Sequence, residues 1–144
     1  MIGAGMHQDI VEIEQLLNCY CHAVDRGLVD EIVDAFHPDG VLLLKWKEHT
    51  LVGHRAIREW FDDYVKMVAE SKQYSRHKIT CPWIRIEGAK ATAISYLDGE
   101  CADKATGRVK ISAGRYEDEL VKEDGRWRFK QRAIFIDGSV SMGC

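Results

Sequence analysis

The 144-residue chain has no long hydrophobic run, no basic cluster and only two prolines. No apolar run exceeds the four residues of Val41–Leu44, whereas a membrane-crossing helix needs roughly 20. Net charge is −3 with lysines and arginines scattered, so the electrostatic footprint of a nucleic-acid binder is missing. The five cysteines (Cys19, Cys21, Cys81, Cys101 and Cys144) are odd in number and form no CxxC pair. That argues against a zinc site and a disulfide framework, and for free thiols in a cytoplasmic protein. Met1–Gly5 carries neither a basic nor an apolar signal region, so no signal peptide is expected. No motif for nicotinamide, flavin, metal or phosphate is present, and no cofactor is expected. Repeats, linkers and low-complexity segments are also missing.

What remains is an ordinary globular composition, 46% hydrophobic and 30% charged, with length for one domain and not two. The first helix is predicted from His7 to Arg26. Its residues Ile10, Ile13, Leu17, Tyr20 and Val24 recur every three or four positions and so share one face. Gly27 is the expected stop. Asp25 lies about 100° from the centre of the apolar stripe, at the edge of the buried face. There a carboxylate can be half covered and still reach a cavity. His22 lies further round, on the wet side.

A short helix is predicted over Val29–Phe36, then a turn at His37-Pro38-Asp39-Gly40. Val41–Trp46 reads as a strand, Lys47-Glu48-His49 as a hairpin tip and Thr50–Val52 as a return strand. Gly53 opens a third helix, His54 to about Glu70, whose stripe Ile57, Phe61, Tyr64, Val65 and Val68 is helix-spaced. After Lys72 the period changes to two. Four strands are expected: Tyr74–Glu87, Ala91–Cys101, Val109–Lys122 and Trp127–Asp137. Pro82 marks a bulge or an edge, and Asp124-Gly125 is a hairpin signal. Tight turns imply antiparallel pairing. The domain is expected over residues 7–137, with 1–6 and 138–144 as flexible termini. The pattern is α+β: helices on one side of a curved sheet whose open end leaves a pocket.

Six motifs then point to one family. They are Tyr20-x4-Asp25-Arg26-Gly27, Phe36-x2-Asp39-Gly40, Gly53-x3-Ile57, Arg76-His77, Gly114-Arg115-Tyr116-x-Asp118 and Asp124-Gly125-Arg126-Trp127-x4-Arg132. Together they resemble the SnoaL-like branch of the NTF2-like superfamily, from about Ile10 to Asp137. The resemblance implies a cone-shaped α+β barrel, a mainly antiparallel sheet around three N-terminal helices. For function it implies less, since that superfamily holds cyclases, dehydratases, a dehydrochlorinase, an isomerase and non-catalytic domains. The bile-acid dehydratase and dehydrochlorinase subset is the most similar in motif. By position, the resemblance implies a site of Asp25, His77, Arg132 and Tyr20. A cyclase-like site would use a later aspartate, Asp98 or Asp118.

Physical chemistry supports the same residues. Elimination needs a base near neutral pKa, which suits histidine oriented by a carboxylate. His77 shares its strand face with Ser75, Ile79 and Cys81. The bland alternative is a core histidine satisfied by a carboxylate, and His22 is a rival partner for Asp25. Arg132 is either a clamp on a substrate oxygen or half of a salt bridge to Asp118 or Glu119. Tyr20 is either core or a donor to a leaving group. Trp46, Phe61, Tyr116 and Cys81 are the candidate pocket walls. The expected function is a cofactor-independent lyase, a dehydratase-type elimination on a small hydrophobic substrate, polycyclic ones included. The alternatives are an isomerase or cyclase with the same pocket, and a non-catalytic binding or assembly domain. No nucleic-acid or membrane partner is expected. On the last two strands both faces carry large groups (Tyr116, Leu120, Trp127, Phe129 and Phe135), so the outer sheet face is expected to pack against further copies, as a homodimer or homotrimer.

Overall fold

The computed structural model describes residues 3–143. Expectations for Met1, Ile2 and Cys144 lie outside the described residues. Helix α1 spans Ala4–Arg26 and α2 spans Val29–Asp34. Strand β1, Phe36–Leu44, is followed by one turn of 3-10 helix at Lys45–Lys47 and by β2, His49–Val52. Helix α3 is Gly53–Ser71. The long strands are β3 (Lys72–Glu87), β4 (Lys90–Asp103), β5 (Val109–Glu123) and β6 (Arg126–Met142). They form one curved six-stranded sheet in the order β2-β1-β6-β5-β4-β3. The sheet does not close: β2 and β3 are its two edges, so the cone is open. Pairing is antiparallel except between β1 and β6, which run parallel.

The amphipathic pattern explains α1. Ile13, Leu17, Tyr20, Cys21, Ala23 and Val24 are buried against the sheet, and burial of each large apolar group stabilises by roughly 1.5–3 kcal/mol. The helix ends at Gly27, whose φ of 68° is left-handed. A Cβ there would also stand 2.8 Å from Cγ1 of Val65 on α3, so a side chain at 27 would be strained by its backbone and would force Val65 to shift.

The structure corrects three sequence expectations. Residues 37–40 are an irregular part of β1, and the register slips between Phe36 and Val41. Gly40 is needed there for close approach: a Cβ would meet the carbonyl oxygen of His37 at 2.8 Å and that of Phe129 at 3.0 Å. Second, β6 runs on to Met142 and pairs with β5 as far as Val109, so 138–142 is strand where a frayed tail was expected. Backbone pairing there outweighs the weak strand propensity of Gly138 and the serines. Third, Tyr116, Leu120, Trp127 and Phe129 all face the core. Of the five groups expected to be spread over both faces, Phe135 alone remains only partly buried.

Pro82 behaves as its chemistry requires. It lies on the edge strand β3, and between Thr80 and Trp83 the strand spends one residue more than β4 does between Tyr96 and Ile94. This bulge changes the parity of β3, so that Ser75, His77 and Ile79 face inward before it, and Ile84 and Ile86 after it.

Candidate active site

The concave face of the sheet and helix α3 enclose a cavity of about 460 Å³, within the usual range for small-molecule sites, about 300–1,000 Å³. Its walls are mainly aromatic and aliphatic. Tyr20 comes from α1, Trp60, Phe61 and Tyr64 from α3, and Tyr116 and Ile134 from β5 and β6. The rings interlock: Trp60 stacks on Tyr64 at 5.2 Å, and Phe61 meets Trp60 edge-on at 4.9 Å.

Asp25 and His77, 52 positions apart, meet beside this cavity. Both carboxylate oxygens of Asp25 accept from the main-chain N–H of His77 at 3.1 Å, and Oδ1 lies 2.6 Å from Nδ1 of the ring. An ionised carboxylate can only accept, so Nδ1 carries the proton toward it. In a neutral imidazole Nε2 is then the basic nitrogen, and His77 lines the cavity. The side chains are 16% and 21% exposed, respectively, half sheltered yet reachable. His22 is exposed on the far side of α1 and is no partner for Asp25. The dyad forms because the last turn of α1 crosses β3 where the inward parity of that strand places residue 77.

Tyr20 forms part of the cavity wall although only 2% of it is exposed. Burial drives its phenol far above the ordinary value, with Arg132 opposing, so it is a proton donor at neutral pH. Tyr64 behaves alike: burial, with the charge of Asp25 adding to it, pushes its phenol up to about 12.

Of the two sequence readings of Arg132, the structure shows the salt bridge to Asp118 and not a side chain on the cavity wall. Arg132 is fully buried and does not line the cavity. Its Nε and Nη2 donate to the two oxygens of Asp118 at 2.8 Å each, and Asp118 is its cross-strand partner. The guanidinium lies against the rings of Tyr116, Phe129 and Tyr20 at 3.9, 4.1 and 4.3 Å. Burial opposes its charge, yet Asp118 holds it above the ordinary value; burial likewise raises Asp118, with Arg132 pulling it back. The bidentate geometry is that of an ionised pair. Nη1 has no partner among the described residues, but the guanidinium stands behind the rings of Tyr20 and Tyr116 and not on the cavity wall, so Arg132 supports the cavity floor. Asp118 is occupied by it, and Asp98 is exposed on the other face of β4, which leaves a later-strand aspartate no access to the cavity.

Of the expected walls, Phe61 and Tyr116 line the cavity and Trp46, 43% exposed, stands at its rim. Cys81 does not line it. It sits in the β3 bulge at φ 52° and is exposed, because the parity change turns it outward. Sequence reading placed Tyr64 on the inward stripe of α3 as core and not as a cavity wall, and it missed Trp60 of α3 and Gly99, Lys110, Ser112 and Ser139 of the sheet. Among the described residues, no group of three His, Cys, Asp or Glu side chains is placed to hold a metal.

The fold and this site can be set beside solved structures. A protein provisionally assigned as an aromatic ring hydroxylase from Novosphingobium aromaticivorans superposes with a TM-score of 0.80 at 27% identity, over 94% of each chain. One provisionally assigned as a scytalone dehydratase from the same species gives 0.81 at 18% identity, over 94% of this chain and 89% of that one. The type 3 hexachlorocyclohexane dehydrochlorinase LinA of Novosphingobium barchaimii gives 0.81 at 14% identity, over 94% and 91%. At such identities the last two share the fold alone. No curated protein matches the sequence significantly. Residues 6–133 match the SnoaL-like domain, and the chain belongs to that family, within the NTF2-like fold.

Proposed function

We propose that this protein is a cofactor-independent acid–base lyase that removes water, or a comparable leaving group, from a small hydrophobic substrate. The observation that carries the reading is the 2.6 Å contact of Asp25 with Nδ1 of His77, on the wall of an apolar cavity. In this reading Nε2 of His77 abstracts a proton next to an electron-withdrawing carbon, and Asp25 stabilises the imidazolium that forms. Tyr20, protonated by burial, donates to the departing oxygen, with Tyr64 as a second phenol on the same wall. The aromatic walls exclude water and suit a flat or polycyclic body. Among the described residues, no helix is long and apolar enough to cross a membrane. Cys19, Cys21, Cys81 and Cys101 are free thiols, which agrees with a reducing compartment, and we place the reaction in the cytoplasm.

The test is a panel of hydrophobic β-hydroxy ketones and secondary alcohols incubated in deuterated buffer and analysed by mass spectrometry. A lyase gives the mass loss of water, and the loss vanishes in His77→Ala. Deuterium uptake without mass loss, also dependent on His77, would replace elimination by isomerisation. Binding of panel members with neither change would leave a ligand-binding domain.

A further inference from the structure

The sheet registers align one row of residues across the cavity. His77 on β3 pairs with Gly99 on β4, Gly99 with Ser112 on β5, and Ser112 with Ser139 on β6. All four line the cavity. Neighbouring strands are about 4.8 Å apart, so the Ser112 hydroxyl stands roughly two such spacings from the imidazole. Between them is a residue with no side chain.

Nothing in the protein requires that glycine. Gly99 is not among the positive-φ residues. A Cβ built on it would meet only Cδ2 of His77, at 3.9 Å, an ordinary contact. Glycine inside a strand weakens it and often marks a place where another molecule comes close. The empty slot over Gly99 opens between His77 and Ser112, which is where a flat body would lie against the base.

The next row toward the mouth pairs Cys101 with Lys110, and both line the cavity. The charges there are unevenly matched. Lys72 is bound to Asp103 at 3.0 Å, and Glu100 is flanked by Arg76 at 3.6 Å and Lys78 at 3.4 Å. Lys110 makes no ion pair among the described residues. Among the lysine and glutamate groups that line the cavity, Lys110 is thus the one without an opposite charge beside it, two residues along β5 from Ser112.

We infer that the cavity is built for an amphipathic anion: a flat apolar body over Gly99 beside His77, with its acidic end held by Lys110, Ser112 and Ser139. The inference rests on the proposed site and names its substrate class, but binding tests it without turnover. Two fluorescent probes of similar shape serve: anilinonaphthalene sulfonate, an anion, and phenylnaphthylamine, which is neutral. The wild-type protein should bind the sulfonate the more tightly, and added salt should weaken that binding alone. Lys110→Met should weaken the sulfonate about tenfold and leave the neutral probe unchanged, and Lys110→Arg should restore it. Gly99→Val should weaken both probes by the same factor or more, and Gly99→Ala by less, with melting temperature measured on each. Equal loss of both probes in Lys110→Met, or no loss of either, overturns the anion site. Undiminished binding of both probes in a folded Gly99→Val protein overturns the slot. A protein that prefers the anion but turns over no substrate would keep this inference and lose the lyase. Turnover of neutral substrates with no anion preference would do the reverse.

Discussion

Asp25 holds His77 at two points. Its carboxylate accepts from the main-chain N–H and from the imidazole of the same residue. The main-chain bond ties the strand to the end of α1, and the bond to Nδ1 fixes the ring and its tautomer. The residues should therefore act as a unit, and their losses should not add. With a substrate found by the water-loss screen, His77→Ala is expected to abolish turnover. Asp25→Asn should keep the fold and cut the rate by roughly 10³–10⁴, and the double variant should be hardly worse than His77→Ala. Melting temperatures that fall in proportion to activity would reduce the pair to a structural contact.

Arg132 and Asp118 should behave in the opposite way. Both are buried, and each is the other's charge partner. Arg132→Met strands a carboxylate among aromatic rings and should destabilise by about 3–5 kcal/mol in urea unfolding. Adding Asp118→Leu removes the stranded charge and should recover much of the loss. A single variant within about 1 kcal/mol of the wild type would show that solvent reaches Asp118 and that the pair is not sealed.

The fold was legible because its signals are local and mutually consistent. The stripe of α1 and α3, the change of period at Lys72 and the turn chemistry of Asp124-Gly125 each point to one architecture. The Asp25–His77 pairing was legible through helix phase and strand parity together, with the family resemblance choosing among histidines. Parity also misled. A one-residue bulge beside Pro82 reverses the facing of every later residue of β3, so the alternation that placed His77 correctly placed Cys81 wrongly. Arg132 reads as a functional cation from sequence because an arginine among apolar residues is ambiguous: only its register with Asp118 shows that the charge is already spent. The row His77, Gly99, Ser112 and Ser139 draws on four strands, and no local pattern announces such a register.

Acid should loosen the molecule through its carboxylates. The hydrogen bond from Lys72, with Thr106 adding to it, lowers the Asp103 carboxyl to about 2. A hydrogen bond from Lys122, then one from Trp127, lowers Asp9, and Arg126 lowers Asp34. A carboxyl depressed on folding is ionised in the native state at a pH where the unfolded chain takes up a proton. Its stabilisation is present above the unfolded value of about 3.9 and is lost as pH falls through the folded one. The urea midpoint difference between wild type and Asp103→Asn should be constant from pH 7 to about pH 5, shrink below about pH 4 and vanish near pH 2. A difference that persists unchanged to pH 2 would mean that ionisation of Asp103 contributes nothing.

The convex face of the sheet carries the last expectation. The groups that suggested assembly from sequence are mostly inside, yet other residues take their place. Trp83 and Tyr96 are each 58% exposed and Ile94 is 39% exposed. Trp83 pairs with Ile94 across β3 and β4, and Tyr96 leads through Arg115 to Phe135 on β6. The guanidinium of Arg115 lies 3.8 Å from the ring centre of Phe135, and that of Arg85 lies 4.1 Å from Trp83. Aromatic and arginine groups together on one face have the composition of an interface core more than of a solvated surface. A homodimer or homotrimer is therefore expected at micromolar concentration by light scattering. A glutamate on this face would have to be buried without a partner, so Trp83→Glu and Tyr96→Glu should each give a folded monomer with the cavity and its probe binding intact. A wild-type protein that is already monomeric would remove the expectation. So would glutamate variants that stay assembled, since the contact would then have to involve another face.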